Sequence, residues 1–358
     1  MLNPREAVRT LPSYHPPLAG RQGLRLDFNE NTVGCSPRVL ERLRQLKPEQ
    51  LASYPEREPV ETTVAEFLGV TKPELLLTNG VDEVIHLLCE TYLEPGDEAL
   101  IAVPTYSMYR IYMMAAGAQV IAVPAGKDFQ FPANDLCKHI TPRTRLIAIA
   151  NPNNPTGTVA AAEDLLRIAG SAPDAAVLVD EAYFEFHGQS MLAARKELPN
   201  LFVARTFSKA YGLAGLRIGV LVGDTEQMRA VRRVCSPYNV NAVALACLPE
   251  ALGDQTYIQE YVSGVRESRA RLERALAALG IQFWPSQANF VLARVGAAAS
   301  FVEHMRGRSI LVRDRTSDHG CEGCVRITLG PSMHTDRLLT ALQETCEELG
   351  IAQGASRR

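Results

Sequence analysis

Short apolar runs without polar alternation recur along the middle of this chain. They cover residues 75–77, 99–103, 120–123, 146–150, 176–179, 201–204 and 216–222. Each is too short for a helix, and each is bounded by Gly, Pro, Asn or charged residues, so the pattern predicts strands buried on both faces. Helix-period segments lie between them; one begins at Val81 and repeats apolar positions at Val84, Ile85, Leu87 and Leu88. Strands that alternate with helices predict an α/β protein with a mostly parallel sheet. A long helical region follows Gly223, and residues 255–279 read as a helix with a polar face at Arg266, Arg269, Arg271 and Glu273. Residues 283–295, 310–313 and 325–329 then read as strands of a smaller α/β unit, closed by a helix over 338–349. At the other end, residues 1–34 carry Pro4, Pro12, Pro16 and Pro17 and little periodicity. They read as an extended arm with a short strand or turn in 24–34, an arm that needs its own domain or a second subunit to dock on. Helices are predicted over 37–46 and 60–68, with Tyr54 in the polar loop between them.

With 358 residues the chain is long for one compact unit, which predicts a large domain and a smaller one. Apolar content of 46%, charged content of 22% and a net charge of −3 are those of an ordinary globular protein. No basic block stands out, which argues against nucleic acid as the main partner. No apolar run is long enough to span a membrane, and the first residues lack the apolar core of a signal peptide, so a cytoplasmic protein is expected. The eight cysteines are then expected to be reduced and mostly buried. Cys321 and Cys324 have a metal-like spacing but no second pair nearby, so no metal is expected.

The chemistry-bearing residues collect where the apolar runs end. In open α/β sheets ligands sit at the carboxyl ends of strands, and Tyr106, Asn154, Asp180, Tyr183 and Lys209 all fall there. The chain holds only six lysines. Lys47, Lys72, Lys127, Lys138 and Lys196 lie in polar surroundings. Lys209 instead leaves a strand end between the hydroxyls of Thr206 and Ser208 and the glycines 212 and 215, eight residues before Arg217. A lysine so placed can be desolvated, and its amine is then free to form a Schiff base. Gly80 precedes a helix start, where an anion can rest on free N–H groups and the positive dipole end.

Together, Asn-Pro-x-Asn-Pro-Thr-Gly at 151–157, Asp-Glu-Ala-Tyr at 180–183, Ser-Lys at 208–209 and Arg217 resemble the fold-type I pyridoxal-phosphate-dependent aminotransferases. The resemblance covers nearly the whole chain. It implies a large cofactor domain (47–275) with a mostly parallel seven-stranded sheet flanked by helices, and a smaller α/β domain built from the N-terminal arm (1–46) and residues 276–358. Within the superfamily the sequence is most similar to the histidinol-phosphate aminotransferases, through Leu-Pro-Ser-Tyr at 11–14, Tyr-Pro-Glu at 54–56, Asn-Gly-x-Asp-Glu at 79–83, Pro-Thr-Tyr-x-Met-Tyr at 104–109, Asp180 to Phe186, Val-Arg-Asp at 312–314 and Cys-Val-Arg-Ile-Thr at 324–328.

The resemblance implies roles. Pyridoxal 5'-phosphate is an electron sink that the protein aims and tunes. Asp180 would face the ring nitrogen and favour its charged form. Tyr183 and Asn154 would donate hydrogen bonds to the phenolic oxygen, and Tyr106 would stack on the ring. Backbone N–H groups of Gly80, Val81 and Asp82, the hydroxyls of Thr206 and Ser208, Arg217, and Tyr54 of a neighbouring subunit would hold the phosphate, which implies a homodimer with a shared active site. Lys209 would hold the cofactor covalently and then carry the proton. Arg326 would grip the substrate's anionic end, with Arg313, Tyr14 and Asn154 beside it. The implied reaction is a ping-pong transfer from L-histidinol phosphate to 2-oxoglutarate in histidine synthesis. A broad aromatic amino-acid aminotransferase, a threonine-phosphate decarboxylase and a non-catalytic effector domain are the alternatives.

Overall fold

The computed structural model describes residues 2–9, 11 and 17–351. Its strands are β1 Leu24–Arg25, β2 Leu75–Thr78, β3 Glu98–Val103, β4 Gln119–Pro124, β5 Thr144–Ala150, β6 Ala176–Asp180, β7 Leu201–Thr206, β8 Gly219–Val222, β9 Gln282–Trp284, β10 Phe290–Arg294, β11 Ile310–Leu311, β12 Arg313–Asp314 and β13 Cys324–Thr328. The seven middle strands form one sheet in the order β2-β8-β7-β6-β5-β3-β4. Only β8 runs antiparallel to its neighbours. Every residue of β6 and β7 is buried. Removing each such Val, Leu or Phe from water contributes about 1.5–3 kcal/mol, which is why these runs carry no polar alternation. Apolar clusters cover both faces of the sheet.

The crossover segments include the helices Val81–Tyr92, Ser107–Ala116 and Ala162–Ser171. The helices Thr225–Val234, Ala242–Gly253 and Gln255–Ala278 follow β8. A four-stranded antiparallel sheet, β12-β13-β10-β9, lies beyond them, and the arm pairs parallel with β11 through β1 in a separate two-stranded sheet. The helix Ser332–Leu349 packs in the same apolar core as Gln255–Ala278.

The arm and the loop before Tyr54 hold short helices, Glu6–Arg9 and Pro48–Ala52, where the sequence pattern shows none, and three predicted strands differ from that pattern. Residues 216–222 are not one strand: a 3-10 turn at Ala214–Leu216 precedes Arg217, whose φ of 54° is left-handed, so pairing starts only at Gly219. Residues 283–295 divide into β9 and β10, which pair antiparallel. Pro285 breaks the ladder between them, and the Gln287 N–H in the connection donates to Gly157 O (2.8 Å). Residues 310–313 also divide, because Ile310 and Leu311 pair with β1 while Arg313 and Asp314 pair with β13.

Candidate active site

Strand β6 ends at Asp180, 5% exposed, and the site is built outward from that carboxylate. Tyr109 Oη donates to its Oδ2 (2.6 Å) and the Ala182 N–H to its Oδ1 (3.0 Å). Burial pushes this carboxyl up to about 6, although both hydrogen bonds hold it down. Lys209, just past β7, donates its Nζ to Phe28 O (3.0 Å). Burial, and after it the charge on Arg326, lowers its amine to about 8. An apolar enclosure therefore shifts an acid and a base toward neutrality from opposite sides.

A second cluster sits at the start of the helix Val81–Tyr92. Gly80 caps it with a φ of 78° and is followed by Val81 and Asp82. Its positive φ favours glycine, and a Cβ there would lie 2.7 Å from Arg217 Nη2 and push that guanidinium aside. Arg217 Nη2 pairs with Asp82 Oδ2 (3.0 Å), and Tyr106 Oη donates to Asp82 Oδ1 (2.8 Å). Thr206 Oγ1 accepts the Ser208 N–H (3.2 Å), while the buried Ser208 Oγ and Thr78 Oγ1 have no protein partner.

The third cluster joins the two sheets. Arg326 on β13 is buried; its Nη1 donates to Asn154 Oδ1 (2.5 Å) and its Nη2 to Asp27 O (2.6 Å). Burial, then the neighbouring charge of Arg315, lowers its guanidinium to about 10. Tyr183 Oη accepts from Asn29 Nδ2 (2.9 Å), and burial raises that phenol. Arg313 lies directly opposite Arg326 in the β12–β13 register, with its Cζ 5.2 Å from the Phe28 ring centre.

The structure thus brings together every proposed residue except two. Tyr54 stands apart from this network, 76% exposed and stacked on Tyr238 with ring centres 4.1 Å apart. Tyr14 lies outside the described residues. Sequence reasoning assigned no role to residues 27–29, whose backbone and side chains meet Arg326, Lys209 and Tyr183. Asn29 holds this segment with a left-handed φ of 57°, its N–H donating to Thr328 Oγ1 (3.0 Å) and its carbonyl accepting from Asn289 Nδ2 (3.1 Å). Tyr109 was also without a role, though it follows Tyr106 by three residues, the spacing that puts two side chains on one helix face. Just behind β6, Glu181 and Arg205 form a buried ion pair (2.7 Å), and Ser190 Oγ and the Met191 N–H donate to the same carboxylate.

These donors suit a phosphorylated pyridine aldehyde. A buried carboxylate matches a ring nitrogen, a desolvated amine matches an aldehyde carbon, and a helix N-terminus with unpartnered hydroxyls and an arginine matches a phosphate.

The family profile described as aminotransferase class I and II matches residues 21–344. The chain belongs to that family. This aminotransferase is 34% identical over 325 residues to the histidinol-phosphate aminotransferase of a Thermoanaerobacter species, covering 89% of this chain and 92% of that one. It is 35% identical to histidinol-phosphate aminotransferase 1 of Bacillus thuringiensis over 333 residues, 91% of this chain and 89% of the relative. Among solved structures, the histidinol-phosphate aminotransferase of Sinorhizobium meliloti in complex with pyridoxal-5'-phosphate superposes with a TM-score of 0.87 at 26% identity, covering 96% of this chain and 97% of that one. No helix among the described residues of this aminotransferase is long and apolar enough to cross a membrane.

Proposed function

We propose that this aminotransferase transfers the amino group of L-histidinol phosphate to 2-oxoglutarate, giving imidazole acetol phosphate and L-glutamate, with pyridoxal 5'-phosphate as cofactor. The observation that carries the reading is the pair of arginines opposite each other at positions 313 and 326. Like charges at directly opposed strand positions repel. Among the described residues Arg313 makes no ion pair, and Asp318 is taken by Arg315. Two such guanidiniums are reconciled by an anion carrying more than one charge, which a phosphate monoester is and a lone carboxylate is not.

When bound, pyridoxal phosphate supplies the electron sink that lets a substrate α-proton leave. The rest is done by the chain's own groups. Lys209 would hold the cofactor through Nζ, and the same amine would carry the substrate α-proton. Its lowered basicity makes it neutral at a useful fraction of the time near pH 7. Asp180 would favour a protonated ring nitrogen, and Tyr109 keeps Asp180 oriented. Tyr183 and Asn154 would serve the phenolic oxygen, and Tyr106 would cover the ring face. The N–H groups of Gly80, Val81 and Asp82, with Thr206, Ser208 and Arg217, hold the phosphate. On the substrate, Arg326, Arg313, Asn154 and Tyr14 receive the phosphomethyl end, and Arg326 receives the glutamate carboxylate in the second half-reaction.

The functional unit is a homodimer in the cytoplasm, with Tyr54 completing the neighbour's phosphate site. The exposed Tyr54–Tyr238 stack, with Leu51 exposed three positions earlier in the chain, supports that assembly. The arm with residues 276–358 forms a small domain against the large one at 47–275.

Steady-state assays with L-histidinol phosphate, phenylalanine and tyrosine as donors test the reading. Histidinol phosphate is expected to be the preferred donor. Arg313→Ala should lower its kcat/KM by about 30- to 140-fold, the loss of one charge-assisted contact of about 2–3 kcal/mol, and should spare phenylalanine. Equal losses for both donors would overturn the phosphate role.

A further inference from the structure

Strand β12 does not stop pairing at Asp314. The Arg315 N–H donates to Cys324 O (2.9 Å), so the ladder with β13 runs one residue further. Side chains alternate along a strand. Arg315 is therefore on the same face as Arg313, the face on which Arg326 stands opposite, while the exposed Asp314 takes the other. The Arg315 side chain is 14% exposed and forms an ion pair with Asp318, 20% exposed, three residues on. Burial raises the Asp318 carboxyl, and the charges of Arg315, Arg326 and Arg313 oppose that rise. Three guanidiniums and one carboxylate thus share one end of the site.

The donors of these arginines are not all used. Arg326 spends its two Nη atoms on Asn154 and Asp27. The Nε atoms of Arg315 and Arg326 are both buried and both lack a protein partner. A guanidinium has five donors in a rigid fork and no way to lose its charge, and burying a donor unpaired is destabilising. Arg21 makes a useful contrast. It also lies over Phe28, but Asp27 and Glu30 both engage its guanidinium (each 2.7 Å from Nη2). It has no charge to spare for a ligand.

We propose that Arg315 is a third anion-binding residue of the substrate site, held in place by Asp318, and that it sets the preference for a phosphate monoester over a carboxylate. The inference rests on the function proposed above and deepens it. Three positive charges against one negative leave a net of two, which matches the roughly −1.5 to −2 of a phosphate monoester near pH 7. A substrate carboxylate brings one negative charge and leaves the cluster under-neutralised. Asp318 is a positioning residue: it occupies Arg315 Nη2 and leaves the Nε–H donor for the ligand.

The experiment compares holoenzyme with Arg315→Gln and Arg315→Lys variants. KM and kcat are measured for L-histidinol phosphate and for phenylalanine, and inorganic phosphate is titrated into each holoenzyme with cofactor absorbance as the readout. Arg315→Gln should raise KM for the phosphorylated donor by about 10- to 100-fold, one charge-assisted hydrogen bond at about 1.4 kcal/mol per tenfold. Phenylalanine KM should stay within about threefold, and inorganic phosphate should bind more weakly. Arg315→Lys, which keeps the charge without the fork, should recover part of the loss. An equal rise for both donors would mean that Arg315 only positions its loop, and would overturn the proposal, as would unchanged phosphate binding. If wild-type enzyme fails to turn over histidinol phosphate, the proposed function falls. The phosphate titration still decides the role of Arg315.

Discussion

Replacing Asp180 with asparagine should make the cofactor-free protein more stable at neutral pH and the enzyme useless. The carboxyl is wholly buried and sits at about 6 in place of its ordinary 3.8. At about 1.4 kcal/mol per pH unit, that rise corresponds to about 3 kcal/mol by which the fold disfavours the ionised form. The folded-state value lies above the unfolded one, so the folded chain binds more protons between pH 3.8 and about 6. Stability contributed by this group is present below that window and is lost as pH rises through it. Asparagine has nearly the same shape. Its oxygen can keep the Ala182 N–H, and its amide can donate to Tyr109 Oη, so little packing is lost. Urea unfolding of apoenzyme between pH 4 and 8 is the assay. The stability difference, variant minus wild type, should be near zero at about pH 4 and approach about 3 kcal/mol by pH 7. Taking the difference cancels the slopes from other buried acids, such as Glu185, which burial raises to about 7. In the same variant pyridoxal phosphate should bind more weakly and turnover should collapse, because a neutral amide does not favour a protonated ring nitrogen. A difference that is flat across the pH range, or a variant less stable than wild type at pH 7, would refute the reasoning.

Two further expectations use the same groups. Tyr109→Phe removes the 2.6 Å donor to Asp180 and should raise the carboxyl further, moving the apoenzyme's pH-dependent loss of stability upward by about one unit; an unmoved profile would show that the hydroxyl does not tune the acid. Capture of pyridoxal phosphate by apoenzyme needs a neutral amine, so its rate, followed by absorbance, should rise with pH about a midpoint near 8 in place of 10.5. A midpoint near 10 would place Lys209 in water.

Much of the fold was legible because the strands announce themselves. Runs such as 146–150 and 201–204 are apolar on both faces, and only a doubly covered sheet has a use for that pattern. Boundaries failed where two requirements compete for one residue. Arg217 sits in an apolar run, yet it must turn its guanidinium to Gly80 and Asp82, and its left-handed backbone postpones β8. Residues 310–313 read as one strand, yet 310–311 and 313–314 serve two sheets, a choice made by partners nearly three hundred residues away at β1 and immediately downstream at β13.

The residue types of the site follow from sequence alone: one lysine among glycines and hydroxyls, a carboxylate ending a buried strand, a glycine before a helix, and two arginines late in the chain. Those types, in that order, limit the chemistry because each ends an element whose position in a parallel sheet is set by local pattern. What the tertiary structure decided is everything that depends on through-space distance. Residues 27–29 meet Lys209, Tyr183 and Arg326 only because β1 docks on β11, some 285 residues later. Tyr109 reaches Asp180 across a helix–sheet interface, and Arg315 joins Arg313 and Arg326 through strand register. Burial shifts Asp180 and Lys209 toward neutrality, and burial is a property of the packed whole, which no window of the chain contains.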